Sequence, residues 1–241
     1  NTFRYVCRAG VQRYRTFVRR GLRYLWLSVR NHDRPVRVRF VRTILNTYPP
    51  TGRGQFACAD ARLNRIAAIG ARALRCCSED TYTDCPSYEQ ILWVGDAHNE
   101  AIVDLVTNGD GRLSRHCWFT AARSLARSDL VESHVPSGWR VIIPAFSFLW
   151  MRWGVRHWWL TGDRATARAM LPWIEGNVRG LARNTGGRGL LDIYAWNFMD
   201  WAPMDANQRV VAHQNCTAVL ALREAAALAG ALGQTARQRR W

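Results

Sequence analysis

Three carboxylates and one indole lie close together in the middle of the chain, and their spacing is its clearest chemical signal. Glu89, Trp93 and Asp96 are separated by four and then three positions. If residues 87–96 are helical, this spacing places all three side chains on one helix face. Asp84 precedes them in an extended Asp-Cys-Pro loop and can reach the same face.

This arrangement suits acid–base chemistry. Hydrolysis of a glycosidic bond needs a carboxylic acid that stays protonated near neutral pH and donates to the leaving oxygen. Neighbouring carboxylates and an apolar wall both favour the protonated form of such an acid. Trp93 offers that wall and a flat face for a sugar ring. The alternative is a helix that begins at Pro86 and carries acids near its start because they favour its dipole. The spacing leaves both interpretations open.

Helical periodicity dominates the chain after residue 54. Apolar residues recur at helical spacing, for example at Leu63, Ile66 and Ile69. Short turns that contain Gly and Asp separate the periodic stretches. The pattern predicts helices near residues 60–78, 97–107, 112–127, 142–161, 164–183 and 207–231. Paired helices joined by short turns favour a helical toroid or solenoid. We expect Trp150, Trp153, Trp158 and Trp159 to pack in the core of such a fold.

The N-terminal third has a different pattern. Val36, Val38 and Phe40 alternate with arginines, which predicts strands within residues 11–48. The Pro- and Gly-rich loop at residues 48–54 then marks a domain boundary.

Charge is distributed as unevenly as the periodicity. The formal net charge is +16, every basic residue is Arg, and residues 1–75 hold 17 Arg against two acids. Arginine on the outer face of a sheet explains this excess, so nucleic acid is not expected as a partner.

Other classes of site and partner are disfavoured. The seven cysteines form no Cys-x-x-Cys pair, so no metal site is predicted, and we expect them to be small buried side chains. No cofactor motif is present. The longest apolar run, around residues 141–151, is too short to span a membrane, so no membrane partner is expected. The sequence assigns no compartment.

A family resemblance appears at the carboxylate cluster. The strings Asp84-Cys85-Pro86-Ser87-Tyr88-Glu89-Gln90 and Trp93-Val94-Gly95-Asp96-Ala97 strongly resemble the signature of bacterial α-L-rhamnosidases, the six-hairpin glycosidases. Thr161-Gly162-Asp163 resembles an inter-helix turn of that family, and Asp200-Trp201 resembles its substrate-loop Asp-Trp. The resemblance covers nearly the whole chain.

The resemblance implies inverting hydrolysis of terminal α-L-rhamnosides, so a rhamnose-containing glycoside is the expected substrate. Glu89 matches the general acid. Asp84 and Asp96 match the acids that hold sugar hydroxyls and tune that Glu. The matches for substrate binding are Trp93 as a pocket wall, Asp200 and Trp201 at a pocket edge, and Trp139 as a weaker candidate.

The implied fold is mainly α, a partial (α/α)6 toroid preceded by a short β-sheet segment. Residues 1–52 are expected to be the trailing strands of a β-sandwich, and residues 53–241 the N-terminal part of the catalytic barrel. Family members are longer, so we expect a fragment with about half of the helices and no general base. Glu175 and Glu224 are predicted to be surface helix residues. Two alternatives stay open: a non-catalytic carbohydrate-binding or helical-toroid fragment, and an Arg-rich polyanion binder.

Overall fold

The computed structural model describes residues 2–201 and 209–241, and this part of the chain is mainly helical. Its elements are α1 Ala61–Cys76, β1 Leu92–Trp93, α2 Val94–Thr107, α3 Gly111–Ala122, a 3-10 turn Arg123–Ala126, β2 His134–Val135, α4 Pro144–Thr161, α5 Arg164–Arg183, α6 Ala212–Ala231 and α7 Thr235–Arg240. All six predicted helices are confirmed. The last begins at Ala212, and the predicted start at residue 207 lies outside the described residues.

Local sequence explains where several helices begin and end. Asp60, Asp110 and Asp163 precede α1, α3 and α5, and each carboxylate accepts a hydrogen bond from a first-turn N–H at 2.8, 3.0 and 2.9 Å. These bonds satisfy donors that a helix start leaves unpaired. Helix α4 begins with Pro144, whose missing N–H has no cost there. It ends at Gly162, where φ is +67°.

The core lies where α2, α4 and α6 pack side by side, with α3 and α5 also in contact with α4. Trp118, Trp150 and Trp153 are fully buried in it. The rings of Trp118 and Trp150 stack at 4.2 Å, and each indole N–H donates to the other residue's carbonyl at 3.0 Å. Burial of these large side chains with paired N–H groups stabilises the contact between α3 and α4.

The prediction of a core position for four tryptophans is confirmed for two of them. Trp150 and Trp153 are buried, whereas Trp158 is only partly buried. Trp159 is 52% exposed, and the Arg156 guanidinium lies 4.6 Å from its ring centroid.

Helix α1 buries little of its apolar stripe. Leu74 is its buried residue, while Leu63, Ile66 and Ile69 are 48%, 63% and 58% exposed. The stripe predicted from the sequence therefore exists, but no described element covers it.

The strands predicted within residues 11–48 do not form. The structure shows neither helix nor strand from residue 2 to residue 60. A strand needs a partner for its backbone N–H and C=O groups and a cover for its apolar face. Here Val36, Val38 and Phe40 are all about half exposed, so the alternating pattern has no second surface to pack against.

The end of this N-terminal segment is nevertheless attached to the end of α1. The Thr47 hydroxyl donates to the carbonyl of Arg75 at 2.6 Å, and the Tyr48 N–H donates to the carbonyl of Ser78 at 2.8 Å. These bonds use carbonyls that a helix end leaves unpaired.

Most cysteines differ from their predicted burial. Only Cys117 is buried among these free thiols; Cys77 and Cys85 are half-buried, and the others are exposed.

None of the described helices is both long enough and apolar enough to cross a membrane.

Candidate active site

The carboxylates singled out from the sequence lie in the loop before β1 and in the first turn of α2. Residues 84–91 form a loop that leads into β1, and β1 continues directly into α2. Strand β1 pairs with β2 in antiparallel register, so that Trp93 lies opposite His134. The Val94 N–H donates to the Ser133 carbonyl at 2.8 Å, which fixes the start of α2 against the β2 region.

The loop is closed by bonds among its own residues. Asp84 pairs with Ile91 twice, from its N–H to the Ile91 carbonyl and from the Ile91 N–H to its Oδ1, both at 3.1 Å. Inside that closure, the Glu89 N–H donates to Cys85 Sγ at 3.3 Å. Gln90 adopts a left-handed φ of +53°, and its side chain donates to the Pro86 carbonyl at 2.8 Å.

This loop corrects the predicted helix at residues 87–96. Helix α2 begins only at Val94, so Glu89 and Asp96 do not share a helix face, and Pro86 does not begin a helix. The physical reason is the pairing of β1 with β2 and of Asp84 with Ile91, which uses the backbone groups that a helix would need. The loop still brings the carboxylates together.

Glu89 is exposed and is oriented by Trp93, whose indole N–H donates to its Oε2. Such a hydrogen bond is directional. It fixes the position of the acid relative to the indole face.

Asp96 lies in the first turn of α2, near Asp84 and Glu89. Asp96 is exposed, but the protein around its carboxyl removes part of its hydration, and this desolvation raises the pKa of Asp96; the charges of Asp84 and Glu89 add to that rise. A hydrogen bond from its own backbone acts in the opposite direction. Asp96 therefore interacts electrostatically with both of the other carboxylates.

Glu100 is a further acid that sequence reasoning missed. It follows Asp96 by one helical turn on α2, and burial raises the pKa of Glu100 to about 9, with Asp96, Asp84 and Asp104 adding to the rise. Its buried Oε2 has no hydrogen-bond partner among the described residues. The i, i+4 spacing from Asp96 was a usable signal for it.

Aromatic rings surround Trp93 on several sides. Its ring lies edge-on to His134 at 4.6 Å, to Phe146 at 6.1 Å and to Trp196 at 6.3 Å. Gly95 permits the close approach of Phe146, because a Cβ at that position would lie 2.5 Å from the Phe146 ring. The wall next to Glu89 is thus built from β1, β2, α4 and the loop before α6.

The remaining predicted binding residues lie at the edge of this aromatic group. Trp139 is 64% exposed and lies 5.2 Å from His134, and Trp201 is 83% exposed and lies 6.3 Å from Trp196. Asp200 is exposed, and its Oδ1 accepts the Trp201 N–H at 2.7 Å. Among the described contacts, Asp200 does not join the carboxylate cluster.

His134 is a second residue that sequence reasoning missed. It is 2% exposed, and neither ring nitrogen has a hydrogen-bond partner among the described residues. Burial lowers the pKa of His134, while the charges of Glu132 and Glu89 act in the opposite direction. His134 reaches the cluster because β2 pairs with β1, which places it opposite Trp93. No local sequence pattern predicts this pairing.

Glu175 and Glu224 are not the surface residues that their sequence context predicts. Glu175 is buried and ion-paired with Arg237 and Arg240, at 3.4 and 2.5 Å. The arginines come from α7, so the pairing depends on tertiary contacts.

Glu224 is similarly engaged, by arginines of α4. Its Oε1 accepts hydrogen bonds from Arg152 and Arg156, both at 3.0 Å.

Over residues 2–201 and 209–241, no cluster of three or more His, Cys, Asp or Glu side chains has metal-binding geometry.

The sequence profile of the bacterial alpha-L-rhamnosidase six-hairpin glycosidase domain matches residues 51–241. The chain belongs to this family. Its helices are therefore part of the α/α toroid of a six-hairpin glycosidase domain. A comparison with curated protein sequences gives no match.

Three solved structures have a similar fold. The GH78 family rhamnosidase of Bacillus sp. GL1 is 37% identical with a TM-score of 0.77, over 80% of this chain and 20% of that one. The rhamnosidase from Klebsiella oxytoca with rhamnose bound is 22% identical with a TM-score of 0.61, over 79% of this chain and 38% of that one. The α-L-rhamnosidase from Aspergillus terreus is 17% identical with a TM-score of 0.64, over 80% and 24%.

The identity of each match decides what it supports. At 22% and 17% identity, the Klebsiella and Aspergillus structures show a similar fold only. The chain spans about a fifth of the length of the Bacillus rhamnosidase.

Proposed function

We propose that this chain carries the acid side of an inverting α-L-rhamnosidase site, which hydrolyses terminal α-L-rhamnosides. The observation that carries the proposal is the hydrogen bond from Trp93 to Glu89, together with the electrostatic coupling of Asp96 to Glu89 and Asp84. Membership of the rhamnosidase domain family supports rhamnose as the sugar.

We assign a separate role to each of these residues. Glu89 is the general acid: Trp93 engages Oε2, and Oε1 gives its proton to the leaving oxygen. Asp84 and Asp96 accept hydrogen bonds from sugar hydroxyls, and the Trp93 ring packs against the apolar face of the sugar.

Residues at the rim extend the sugar site. Trp139 and Trp201 expose most of their surface next to the aromatic group, so they can cover a bound glycoside from two sides. Asp200, on the same loop as Trp201, supplies a polar edge.

Inversion also needs a base, a second carboxyl about 6.5–9.5 Å from the acid that activates water on the opposite face of the sugar. We assign no general base among the described residues, because the arginines of α7 and α4 already engage Glu175 and Glu224.

The proposed domain division follows the sequence. Residues 1–52 would belong to the end of a β-sandwich domain, although residues 2–52 form no strand here, and residues 53–241 would be the first part of the barrel. The family match supports this division, because it begins at residue 51, inside the loop at residues 48–54.

Substitution Glu89→Gln tests the acid. It keeps an acceptor for the Trp93 N–H but removes the proton. With azide as the nucleophile, which needs no general base, we expect kcat/KM for methyl α-L-rhamnoside, whose leaving group needs protonation, to fall by about 10²–10⁴-fold. The loss should be smaller for 4-nitrophenyl α-L-rhamnoside, whose leaving group departs as an anion. The exposed Asp33→Asn is the matched control. Unchanged turnover of methyl rhamnoside by Glu89→Gln removes the assignment.

An added nucleophile separates the acid from the base. Azide needs no general base and attacks the anomeric carbon from the face opposite the leaving group. We therefore expect it to increase consumption of 4-nitrophenyl α-L-rhamnoside and to yield the β-configured azide. Rhamnose binding without turnover, even with azide, would instead support a non-catalytic carbohydrate-binding fragment, which the exposed Trp139 and Trp201 also favour.

A further inference from the structure

One residue of the N-terminal segment, Arg19, contacts both ends of the loop at residues 84–91, which is called the acid loop below because it carries Asp84 and Glu89. The Arg19 side chain is only 14% exposed, although most arginines near it are open to solvent. Its Nη1 donates to the carbonyl of Cys76 at 3.2 Å, at the end of α1, and its Nη2 donates to Thr83 Oγ1 at 3.0 Å. Its Nε lies 3.0 Å from Glu79 Oε1. One guanidinium thus joins the end of α1 to the residues just before Asp84.

The backbone of Arg19 contacts the far end of the same loop. Its carbonyl accepts a hydrogen bond from Gln90 Nε2 at 3.3 Å, and that amide also donates to the Pro86 carbonyl. Gln90 follows Glu89 directly and holds a left-handed φ of +53°, which is unfavourable for a residue with a side chain. The bond to Arg19 is one of the contacts that hold this conformation.

Gly21 lets the segment pass against the loop at close range. A Cβ at this position would lie 3.1 Å from the Pro86 carbonyl oxygen and 3.2 Å from Ser87 Cβ, which is tighter than ordinary packing. Contacts on both sides of Cys85 therefore come from residues 19–21.

We propose that Arg19 is a positioning residue for the general acid: with Gly21 it braces residues 83–90 so that Glu89 stays in hydrogen-bond reach of Trp93. The planar fork of an arginine suits this task, because it donates two hydrogen bonds in fixed directions while it pairs electrostatically with Glu79, which a lysine ammonium cannot reproduce. The catalytic part of this inference rests on the proposed function. The structural part, the bracing of the loop, does not.

Hydrogen exchange tests the brace without any need for turnover. We expect Arg19→Met to speed exchange at the amides of Glu89 and Ile91, while helix α5 keeps its protection. Arg19→Lys should restore only part of the protection. Arg37→Met, at an exposed position of the same segment, is the charge-matched control. Unchanged exchange at Glu89 and Ile91 in Arg19→Met overturns the proposal.

Kinetics tests the catalytic consequence. With azide as the nucleophile, displacement of the acid should lower kcat/KM for methyl α-L-rhamnoside by about tenfold or more. It should lower the value for 4-nitrophenyl α-L-rhamnoside less, and leave the affinity for rhamnose within a few fold. Equal losses on both substrates would mean a general structural role and would reject the positioning role. If Arg19→Met does not fold, Gly21→Ala, which pushes on Pro86 and Ser87, should give the same difference between substrates.

The two measurements separate the two proposals. Faster loop exchange in Arg19→Met together with no hydrolysis by the unmodified chain, with or without azide, supports the brace and counts against the proposed function. Hydrolysis that depends on Glu89, together with unchanged exchange, supports the function and rejects the brace.

Discussion

The segment before α1 and the helical part after it use similar side chains to very different effect. Trp26 is 92% exposed, whereas Trp118, Trp150 and Trp153 are completely buried. The difference lies in whether a second apolar surface faces the first, because burial needs two surfaces. Composition alone therefore did not determine which of these tryptophans would stabilise the fold.

The segment still contributes specific polar contacts. Arg19 and Thr47 donate to carbonyls at the end of α1, and Arg19 also reaches the acid loop. The helical part holds the site by burial, and the segment adds directional bonds at a few points.

The largest expected difference in stability between the two regions comes from a pair of tryptophan substitutions. Trp118→Ala should lower the free energy of unfolding by about 3–5 kcal/mol, since it opens a cavity and removes a stacked ring. Trp26→Ala should change it by about 0.5 kcal/mol or less. Urea titration monitored by circular dichroism measures both. A cost for Trp26→Ala that approaches that of Trp118→Ala would show that the segment has its own core contact.

A pair of histidines gives the next largest effect. His157 is 2% exposed with its Nδ1 3.0 Å from Ser114 Oγ, and burial lowers the pKa of His157 to about 4. Between pH 6.5 and 4 the unfolded state binds this proton and the folded state does not. The stability due to neutral His157 is thus complete above the unfolded pKa and is lost as the pH falls toward 4.

We expect a loss of about 3 kcal/mol across this interval. Unfolding free energies measured from pH 7 to 4 should show a shallower decline in His157→Gln than in the unmodified chain. The exposed His32→Gln serves as the control and should leave the slope unchanged. Identical slopes for all three proteins would contradict a buried neutral imidazole.

The smallest effect concerns helix caps. Asp163→Ala removes the acceptor for the Thr166 N–H at the start of α5 and should cost about 1 kcal/mol. Asp33→Ala, in the exposed segment, should cost about 0.5 kcal/mol or less. Thermal unfolding of both variants checks the difference. Equal shifts would indicate that Asp33 has a structural role comparable to a cap.

Features that depend on neighbours in sequence were predictable. The bounds of α5 follow from Asp163 before it and helical periodicity within it, and the acids came from the spacing of Asp84, Glu89 and Asp96. Features that depend on distant partners were not. The pairing of Trp93 with His134 replaced the predicted helix with a loop and a strand, and the arginines around Glu224 come from another helix.

The close contact between Gly95 and Phe146 has a consequence for engineering. It holds the turn that carries Asp96 against the start of α4. If the chain binds a glycoside as proposed, its preference for an aglycone would be changed most easily in the rim loops that carry Trp139 and Trp201. Any side chain at residue 95 would instead push the starts of α2 and α4 apart.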